Sequence, residues 1–162
     1  MADWTDSSTT NTAGKLVRFT RNVDLTSTAT NALLHFSADT RYKLYVNGVH
    51  VAVGPTRGSS LLWYYDTLDI SPHLVKGQNE ITFVVLRYFA AVRGAMPFAR
   101  TSHPGLTVVG SIEIDGKTID LGSRENWQAQ VDESVQFPMG LKDDMFLHVS
   151  YYYLHSRIRL IP

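Results

Sequence analysis

The chain has 162 residues, in which 15 Lys and Arg balance 15 Asp and Glu, and it contains no cysteine. A chain of this length predicts one domain, with a core large enough to fold without disulfide bonds. The balanced charge offers no basic surface for nucleic acid or an anionic membrane. The lack of cysteine excludes disulfides, thiol nucleophiles and thiolate zinc sites.

Residues 1–14 are rich in Ser, Thr and Asn and are predicted to form a loose lead-in to a single domain at 15–162. They lack the apolar core of a signal peptide, and no run approaches the roughly 20 apolar residues of a membrane span. A cytoplasmic protein and a protein secreted without a classical signal peptide both fit this sequence. A native full-length chain and an excised domain given a start Met fit it equally well.

The body of the chain is predicted to be a succession of short strands, because apolar and polar residues alternate. In the segment 41–46, for example, Tyr42, Leu44 and Val46 face one way and the intervening residues the other. In chain order the predicted strands are 15–20, 32–38, 41–46, 49–53, 61–65, 81–86, 106–114, 118–121, 145–153 and 155–161. This pattern predicts an all-β, antiparallel β-sandwich.

Two connections carry the residues of type I′ hairpin turns. Asn47 with Gly48, and Asp115 with Gly116, tolerate the positive φ that such turns need.

One helical turn is predicted at 71–74, with Pro72 placed early, where its missing N–H costs nothing. Gly77 is expected to stop the turn, because glycine readily takes the left-handed conformation at a helix end. The run that follows, 81–86, is apolar on both faces and predicts a central strand covered on both sides.

An irregular segment at 87–104 has no clear period beyond its first residues and contains Gly94, Pro97 and Pro104. It also carries three arginines and three aromatic residues. A long irregular loop inside a compact domain is uncommon and often functional.

Several motifs resemble the galactose-binding-like β-sandwich found near the N-terminus of bacterial and fungal α-L-rhamnosidases. They are RYKLYVNG at 41–48, GP at 54–55, WYYDTLDISPHLVKGQNEI at 63–81, RTSHPGL at 100–106 and ENWQAQVD at 125–132. The resemblance runs from Leu16 to Val131. It implies a jelly-roll sandwich like those of other large glycosidases and of a rhamnose-binding carbohydrate module.

The same resemblance implies that Trp127 lies in a strand at 124–131 that leads out of the sandwich. In those rhamnosidases a further β-domain and a large helical barrel follow, and the barrel carries the catalytic acid and base. This chain is expected to close on the strand at 155–161 instead. The resemblance therefore implies a domain without the catalytic machinery.

Strand direction predicts where a binding site lies. If successive strands are antiparallel, the turn at 39–41 and the loops at 54–60, 89–104 and 122–126 fall at one end, here called the loop end. The two hairpins and the helical turn fall at the opposite end, the turn end. Loops on a rigid β-scaffold often carry binding residues, so the site is predicted at the loop end.

Planar arginine side chains can donate to sugar hydroxyls, and aromatic rings can pack against the apolar faces of sugars. The candidate carbohydrate-binding residues are Asp39, Arg41, Arg57, Trp63, Tyr88, Arg93, Phe98, Arg100 and His103. Arg93, Arg100 and His103 are favoured because they lie in the irregular loop rather than in a strand.

The remaining candidates have simpler structural interpretations. At least two of Trp63, Tyr64 and Tyr65 are expected in the core, because they belong to a predicted strand. Tyr88 fits a core position at a strand end. Asp39 and Arg41 fit an exposed ion pair of small energetic value, and Arg57 fits a solvated loop charge.

Catalytic motifs are missing from the sequence. Glycoside hydrolysis needs two carboxyl groups that flank the bond, whereas the acidic residues here are scattered. There is no GxSxG motif, and the six histidines show no HxH or HExxH spacing. These observations predict a protein that is not an enzyme and that holds no zinc.

Calcium is the one metal that the resemblance leaves open, because rhamnose-binding modules of this fold can use it in the sugar site. Asp143 with Asp144, or Asp132 with Glu133, offer the oxygen ligands that calcium prefers. A solvated acidic loop explains the same residues more simply.

The leading functional hypothesis is a lectin-like domain that binds L-rhamnose or a rhamnose-containing glycan without catalysing a reaction. The second is a structural accessory domain that packs on a glycosidase, which an exposed apolar patch on one sheet face would indicate. The third is a small stand-alone enzyme, for instance a lyase that uses Tyr, His and Arg, and it ranks last.

Overall fold

A computed structural model describes residues 14–56, 58–59, 61–88, 104–136 and 152–153. The strands are β1 Lys15–Leu25, β2 Leu33–Asp39, β3 Arg41–Val46, β4 Val49–Gly54, β5 Asp66–Asp69, β6 Gly77–Arg87, β7 Gly105–Ile114, β8 Lys117–Asp120, β9 Gln128–Val131, β10 Val135–Gln136 and β11 Tyr152–Tyr153. The lead-in at 1–13, the predicted strand at 155–161 and most of that at 145–153 lie outside the described residues.

Two antiparallel sheets form the body of the domain. The larger has the strand order β4-β3-β6-β1-β9 and the smaller the order β5-β2-β7-β8, while β10 and β11 pair as a short ribbon. Helical structure in the described chain is confined to one 3-10 turn at Ser71–His73, and no helix there is long and apolar enough to cross a membrane. The predicted all-β sandwich and its helical turn are confirmed.

The core lies between the inner faces of the two sheets. Phe36 of the smaller sheet meets Tyr42 and Phe83 of the larger one, with ring centroids 5.2 and 5.1 Å away. Tyr42 and Phe83 are themselves 5.7 Å apart, and all three pairs are edge-to-face. Edge-to-face aromatic pairs add to the stabilisation from burial, so this trio binds the sheets together.

Both predicted hairpins are present at the turn end. Asn47 and Gly48 have φ of 51° and 78°, and Asp115 and Gly116 have φ of 48° and 72°. These are the left-handed values that type I′ turns require.

The segment between the helical turn and β6 is held by one buried amide, that of Asn79. Its Nδ2 donates to the carbonyl oxygens of Val75 and Gly77 at 2.7 and 2.8 Å. Its Oδ1 accepts from the Val75 N–H at 2.8 Å and from Asn47 Nδ2 at 2.9 Å. Asn79 therefore ties the first hairpin to the start of β6.

Replacing Asn79 by alanine is expected to lower the free energy of unfolding by about 2 kcal/mol, because several backbone groups lose their partner. Urea denaturation measures this change, with Gln78→Ala as the control, since Gln78 is the exposed neighbour on the same strand. A loss for Asn79→Ala no greater than that of the control would show that the amide does not hold the segment.

The segment at 122–126 was expected at the loop end, and this expectation is wrong. Leu121 and Ser123 continue the backbone bonding of β8 along the middle of β7. The chain then crosses to the other sheet, where β9 begins opposite Thr20 in the middle of β1. Since β8 and β9 run in the same direction, 122–126 is a lateral crossing between sheets rather than a reversal.

The crossing is anchored to both sheets. Trp127 donates from Nε1 to the Leu121 carbonyl at 3.1 Å, and its ring lies 5.7 Å from that of Phe83. Arg21 of β1 donates to the carbonyl of Asn126 at 3.0 Å.

The strand predicted at 61–65 is also absent, and the strand of this region is β5, which starts at Asp66. Backbone bonds in both directions between Ser59 and Leu62 close a tight turn just before it. This turn places 63–65 alongside the smaller sheet without pairing to it, so a run of apolar and aromatic residues here does not mean a strand.

Candidate functional site

The connections predicted at the loop end start there, apart from 122–126. β2 passes into β3 there through Thr40, β4 ends there at Gly54, and β6 leaves there at Arg87. β7 begins at the same end, because Gly105 pairs with Asp39. The irregular segment that follows β6 thus starts and finishes at this end.

A buried ion pair lies at the root of that segment. Arg87 Nη1 is 3.8 Å from Asp39 Oδ2, and the two side chains are 4% and 3% exposed. Thr40 donates from Oγ1 to Asp39 Oδ1 at 3.1 Å. Thr40 Oγ1 also accepts a hydrogen bond from the Tyr88 N–H at 3.2 Å. Burial lowers the pKa of Arg87 below its usual value, and the Asp39 carboxylate opposes that shift.

An ion pair between two of the sequence candidates, Asp39 and Arg41, was the alternative to a role in binding, but the two residues have different partners. Asp39 faces Arg87 inside the sandwich, whereas Arg41 donates from Nη1 to the carbonyl of Pro55. Arg41 thereby links the start of β3 to the loop after β4. Its guanidinium is part of the support of the loop end.

Beside Arg41, the hydroxyl of Tyr42 donates to Asp66 Oδ2, which connects the two sheets. Gly54 packs directly on this pair, since a Cβ there would lie 2.4 Å from Asp66 Oδ2 and 2.7 Å from the Tyr42 hydroxyl. Only glycine leaves room for the bond at this point. The described polar groups of the loop end therefore bond mainly to one another.

Burial, and then the Asp66 carboxylate, raise the pKa of Tyr42 well above its ordinary value of 10.0. The folded protein therefore keeps the Tyr42 proton at a pH where the unfolded chain releases it, so this contribution to stability is present below pH 10 and declines above it. We expect the stability advantage of the wild type over Tyr42→Phe to be about 1–3 kcal/mol at pH 8 and to shrink as the pH rises past 10.

Urea denaturation of both proteins between pH 8 and about pH 11 measures this difference. Titration of lysines and of other tyrosines affects both proteins alike and cancels in the comparison. An advantage that stays constant or grows with pH would contradict the raised pKa.

Five of the candidates, Arg57, Arg93, Phe98, Arg100 and His103, lie outside the described residues, and their role in ligand binding stays a prediction. Of the others, Asp39 is buried, while Arg41, Trp63 and Tyr88 are partly buried. The structure brings Asp39, Arg41 and Tyr88 together at the loop end. It places Trp63 elsewhere, on the outer face of the smaller sheet.

We call the residues Trp63, Tyr65 and His35 the aromatic shelf. Trp63 donates from Nε1 to Ser37 Oγ at 3.0 Å, and Ser37 is an outward-facing residue of β2. Two residues along the same strand, His35 meets the Tyr65 ring edge-on at a centroid distance of 5.9 Å.

The expectation that at least two of the three aromatic residues at 63–65 are core is wrong, because Tyr64 and Tyr65 are 42% and 66% exposed.

Hydroxyl groups surround the shelf. His35 Nδ1 is bonded to Thr67 Oγ1 of β5 at 2.8 Å. Thr107 and Val109 of β7 are exposed and stand opposite Ser37 and His35. Flat rings among neutral donors and acceptors are a surface that sugars can contact on both their apolar and their hydroxyl sides.

Next to the shelf, the turn at 58–62 presents two leucines to solvent. Leu61 is 96% exposed and Leu62 is 56% exposed. Their N–H groups lie 3.3 and 3.2 Å from Ser59 Oγ, which accepts from both. A Cβ on Gly58 would lie 2.2 Å from the Leu62 carbonyl oxygen, so the turn is compact. The leucines are therefore displayed by an ordered turn.

Among the described residues, the candidate calcium ligands form no cluster. Asp132 accepts at Oδ1 from the N–H and the hydroxyl of Ser134, so its carboxylate closes a local turn. Among the described residues, no group of three or more His, Asp or Glu could hold a metal ion. Asp143 and Asp144 lie outside those residues.

The sequence had pointed to Trp63 but had missed Tyr65 and His35. The signal for Tyr65 was the run WYY directly before an Asp, which a strand at 61–65 would bury on alternate sides, whereas nothing in the sequence singled out His35. The tight turn closed by Ser59 and Leu62 places the three aromatic residues in a loop, where exposure is expected.

The fold is similar to part of several α-L-rhamnosidases. The GH78 family rhamnosidase of Bacillus sp. GL1 matches with a TM-score of 0.59 and 27% identity, over 76% of this chain and 13% of that one. The α-L-rhamnosidase of Aspergillus terreus matches with a TM-score of 0.64 and 18% identity, over 79% and 16%. That of Streptomyces avermitilis, complexed with L-rhamnose, matches with a TM-score of 0.53 and 21% identity, over 76% and 11%.

No protein-family model matches the chain, and no curated protein matches its sequence. The chain spans 11–16% of the length of these three rhamnosidase chains. It resembles a β-sandwich domain within much longer enzymes, as the sequence motifs implied.

Proposed function

We propose that this domain binds carbohydrate without catalysing a reaction, and that its ligand is L-rhamnose or a glycan that contains it. The observation that carries the proposal is the aromatic shelf on the outer face of the smaller sheet, where Tyr65 is largely exposed and Trp63 and His35 are partly exposed. Hydrogen bonds hold Trp63 and His35, and a ring contact with His35 holds Tyr65. The choice of rhamnose follows from the similarity to α-L-rhamnosidases, one of which is recorded in complex with L-rhamnose.

Two considerations favour binding over catalysis. The chain matches only a small share of the enzymes that it resembles. Among the described residues, Asp39 and Asp66 are the acidic groups held by buried partners at the loop end, and each is engaged by a basic or hydroxyl side chain of the protein. These two carboxyl groups are therefore not a free pair of the kind that glycoside hydrolysis needs.

Isothermal titration calorimetry of the purified protein tests the proposal, with L-rhamnose, D-galactose and rhamnose-containing polysaccharides as ligands, each with and without calcium. Binding of rhamnose or of a rhamnose-containing polymer, without release of reducing sugar, is the expected result. An absence of heat with every sugar would defeat the binding proposal, and release of sugar at catalytic protein levels would favour the lyase or another enzyme.

A second function, docking onto a catalytic domain, is favoured by Leu61 and Leu62. Two leucines on an ordered turn are an apolar contact that a partner could cover. The test is co-elution with the Bacillus rhamnosidase from which the matching segment has been deleted. Complex formation that Leu61→Ser and Leu62→Ser abolish would support docking, and two separate elution peaks for the wild type would contradict it.

A further inference from the structure

We infer that the aromatic shelf accommodates at least two consecutive units of a neutral oligosaccharide on the outer face of the smaller sheet. This inference rests on the proposed function and specifies its ligand: a stretch of chain, bound across a sheet face, rather than one terminal sugar held at the loop end.

The first ring of the shelf is held in one orientation. The indole N–H of Trp63 is occupied by Ser37 Oγ, and Ser37 in turn donates to the carbonyl of Tyr64 at 2.6 Å. This relay ties the loop before β5 to the outer face of β2. A ring that is already positioned loses little freedom when a ligand stacks on it.

The second ring is held by a similar arrangement one step along the strand. Tyr65 meets the His35 imidazole at an interplanar angle of 77°, and His35 is bonded to Thr67. Tyr65 nevertheless remains 66% exposed, so most of its ring is open to a ligand.

The spacing of the points at which the two rings contact β2 indicates more than one sugar unit. Their anchors, Ser37 and His35, are two residues apart on β2, which corresponds to about 7 Å along the strand. Rings attached to anchors that far apart favour adjacent units of one chain, each covering a ring, over a single pyranose stacked on both.

The charge of this face indicates a neutral ligand. The outward-facing residues of β5, β2 and β7, all of which are described, include no lysine or arginine. Toward the turn end the face carries two exposed carboxylates, Asp69 and Glu113. Hydrogen bonds to Ser71 lower the pKa of Asp69, so this group stays ionised under mildly acidic conditions. A uronate chain would be repelled here, whereas neutral hydroxyls would find donors and acceptors.

The experiment compares binding of L-rhamnose with that of α-linked L-rhamno-oligosaccharides of two to four units, by calorimetry and by amide chemical shifts in NMR. The disaccharide is expected to bind at least tenfold more tightly than the monosaccharide. Shifts are expected on β2, β5 and β7, around His35 and Thr67. A polygalacturonate fragment of equal length is expected to bind more weakly than the neutral oligosaccharide.

The variant Tyr65→Ala is expected to weaken oligosaccharide binding about three- to tenfold, because it removes one stacking ring. Tyr65→Phe keeps the ring and is expected to restore binding. The matched control is Tyr45→Ala, since Tyr45 lies on the outer face of the other sheet and also contacts a histidine, His50, at 5.3 Å. It is expected to bind like the wild type.

Equal affinity for monosaccharide and disaccharide, or unchanged binding in Tyr65→Ala, would overturn the inference while leaving the proposed function intact. Amide chemical shift changes confined to the loop end when the oligosaccharide is added would also overturn the inference, and this measurement needs only the wild-type protein. If no sugar binds in any form, the proposed function itself fails.

Discussion

Replacing Phe83 by alanine is expected to lower the free energy of unfolding by about 3–5 kcal/mol, the usual cost of removing a buried aromatic side chain. Phe83 is fully buried at the centre of β6, and its ring contacts those of Phe36, Tyr42 and Trp127. These contacts join the larger sheet to the smaller one and to the lateral crossing. The substitution would leave a cavity where all three meet.

Denaturation by urea, followed by circular dichroism, measures this change. The control is Val53→Ala on the edge strand β4, where the side chain is 66% exposed and the expected change is within about 0.5 kcal/mol. Because typical domains are stable by roughly 5–15 kcal/mol, Phe83→Ala would also lower the yield of folded protein. A loss below about 1.5 kcal/mol would mean that the core can close around the missing ring.

The second large effect is expected at the buried ion pair, where Asp39→Ala should cost about 3–5 kcal/mol. The substitution leaves the Arg87 guanidinium inside the sandwich without the carboxylate that offsets its desolvation. It also removes the acceptor for the Thr40 hydroxyl, which positions the backbone of Tyr88.

A double-mutant cycle separates the pair from its surroundings. Arg87→Met, made in the Asp39→Ala background, is expected to recover part of the lost stability, because it removes the buried charge. The control is Asp24→Ala, an exposed acidic residue on β1 that should change stability little. Strictly additive effects of Asp39→Ala and Arg87→Met would show that the two side chains do not stabilise each other.

Much of the fold was predictable because its signals are local. Alternating burial in β2 and β3, and the pairs Asn47–Gly48 and Asp115–Gly116, depend only on neighbouring residues. The position of the loop end followed from strand direction alone. The central place of β6 followed from its apolar residues on both faces.

The errors arose where tertiary contacts decide the structure. The residues 63–65 have the composition of a strand, but a bond from Trp63 to Ser37 holds them against a sheet face without pairing. Likewise, 122–126 follows a hairpin and looks like another reversal. Backbone bonds to β7 instead keep its first part on the smaller sheet, and Arg21 of the larger sheet bonds its last residue. Neither contact partner is near in sequence, so no local pattern reports it.

The candidate site was predicted less well than the fold, for a related reason. Whether an aromatic residue is core or exposed depends on which face of the sheet it reaches, and this is a three-dimensional property. An exposed ion pair with Arg41 was the simpler interpretation of Asp39, whereas Asp39 is buried beside Arg87, which is distant in sequence. The sequence identified the polar residues but not their partners.

The turn at Asp115 and Gly116 has a practical consequence. It is a two-residue, exposed connection at the end of the sandwich opposite the long loops, and a Cβ on Gly116 would meet no neighbouring atom. Short exposed turns tolerate inserted sequence well. A biotin-acceptor tag spliced in at this position would let the domain be immobilised on a sensor chip with both the shelf and the loop end facing the flowing sample.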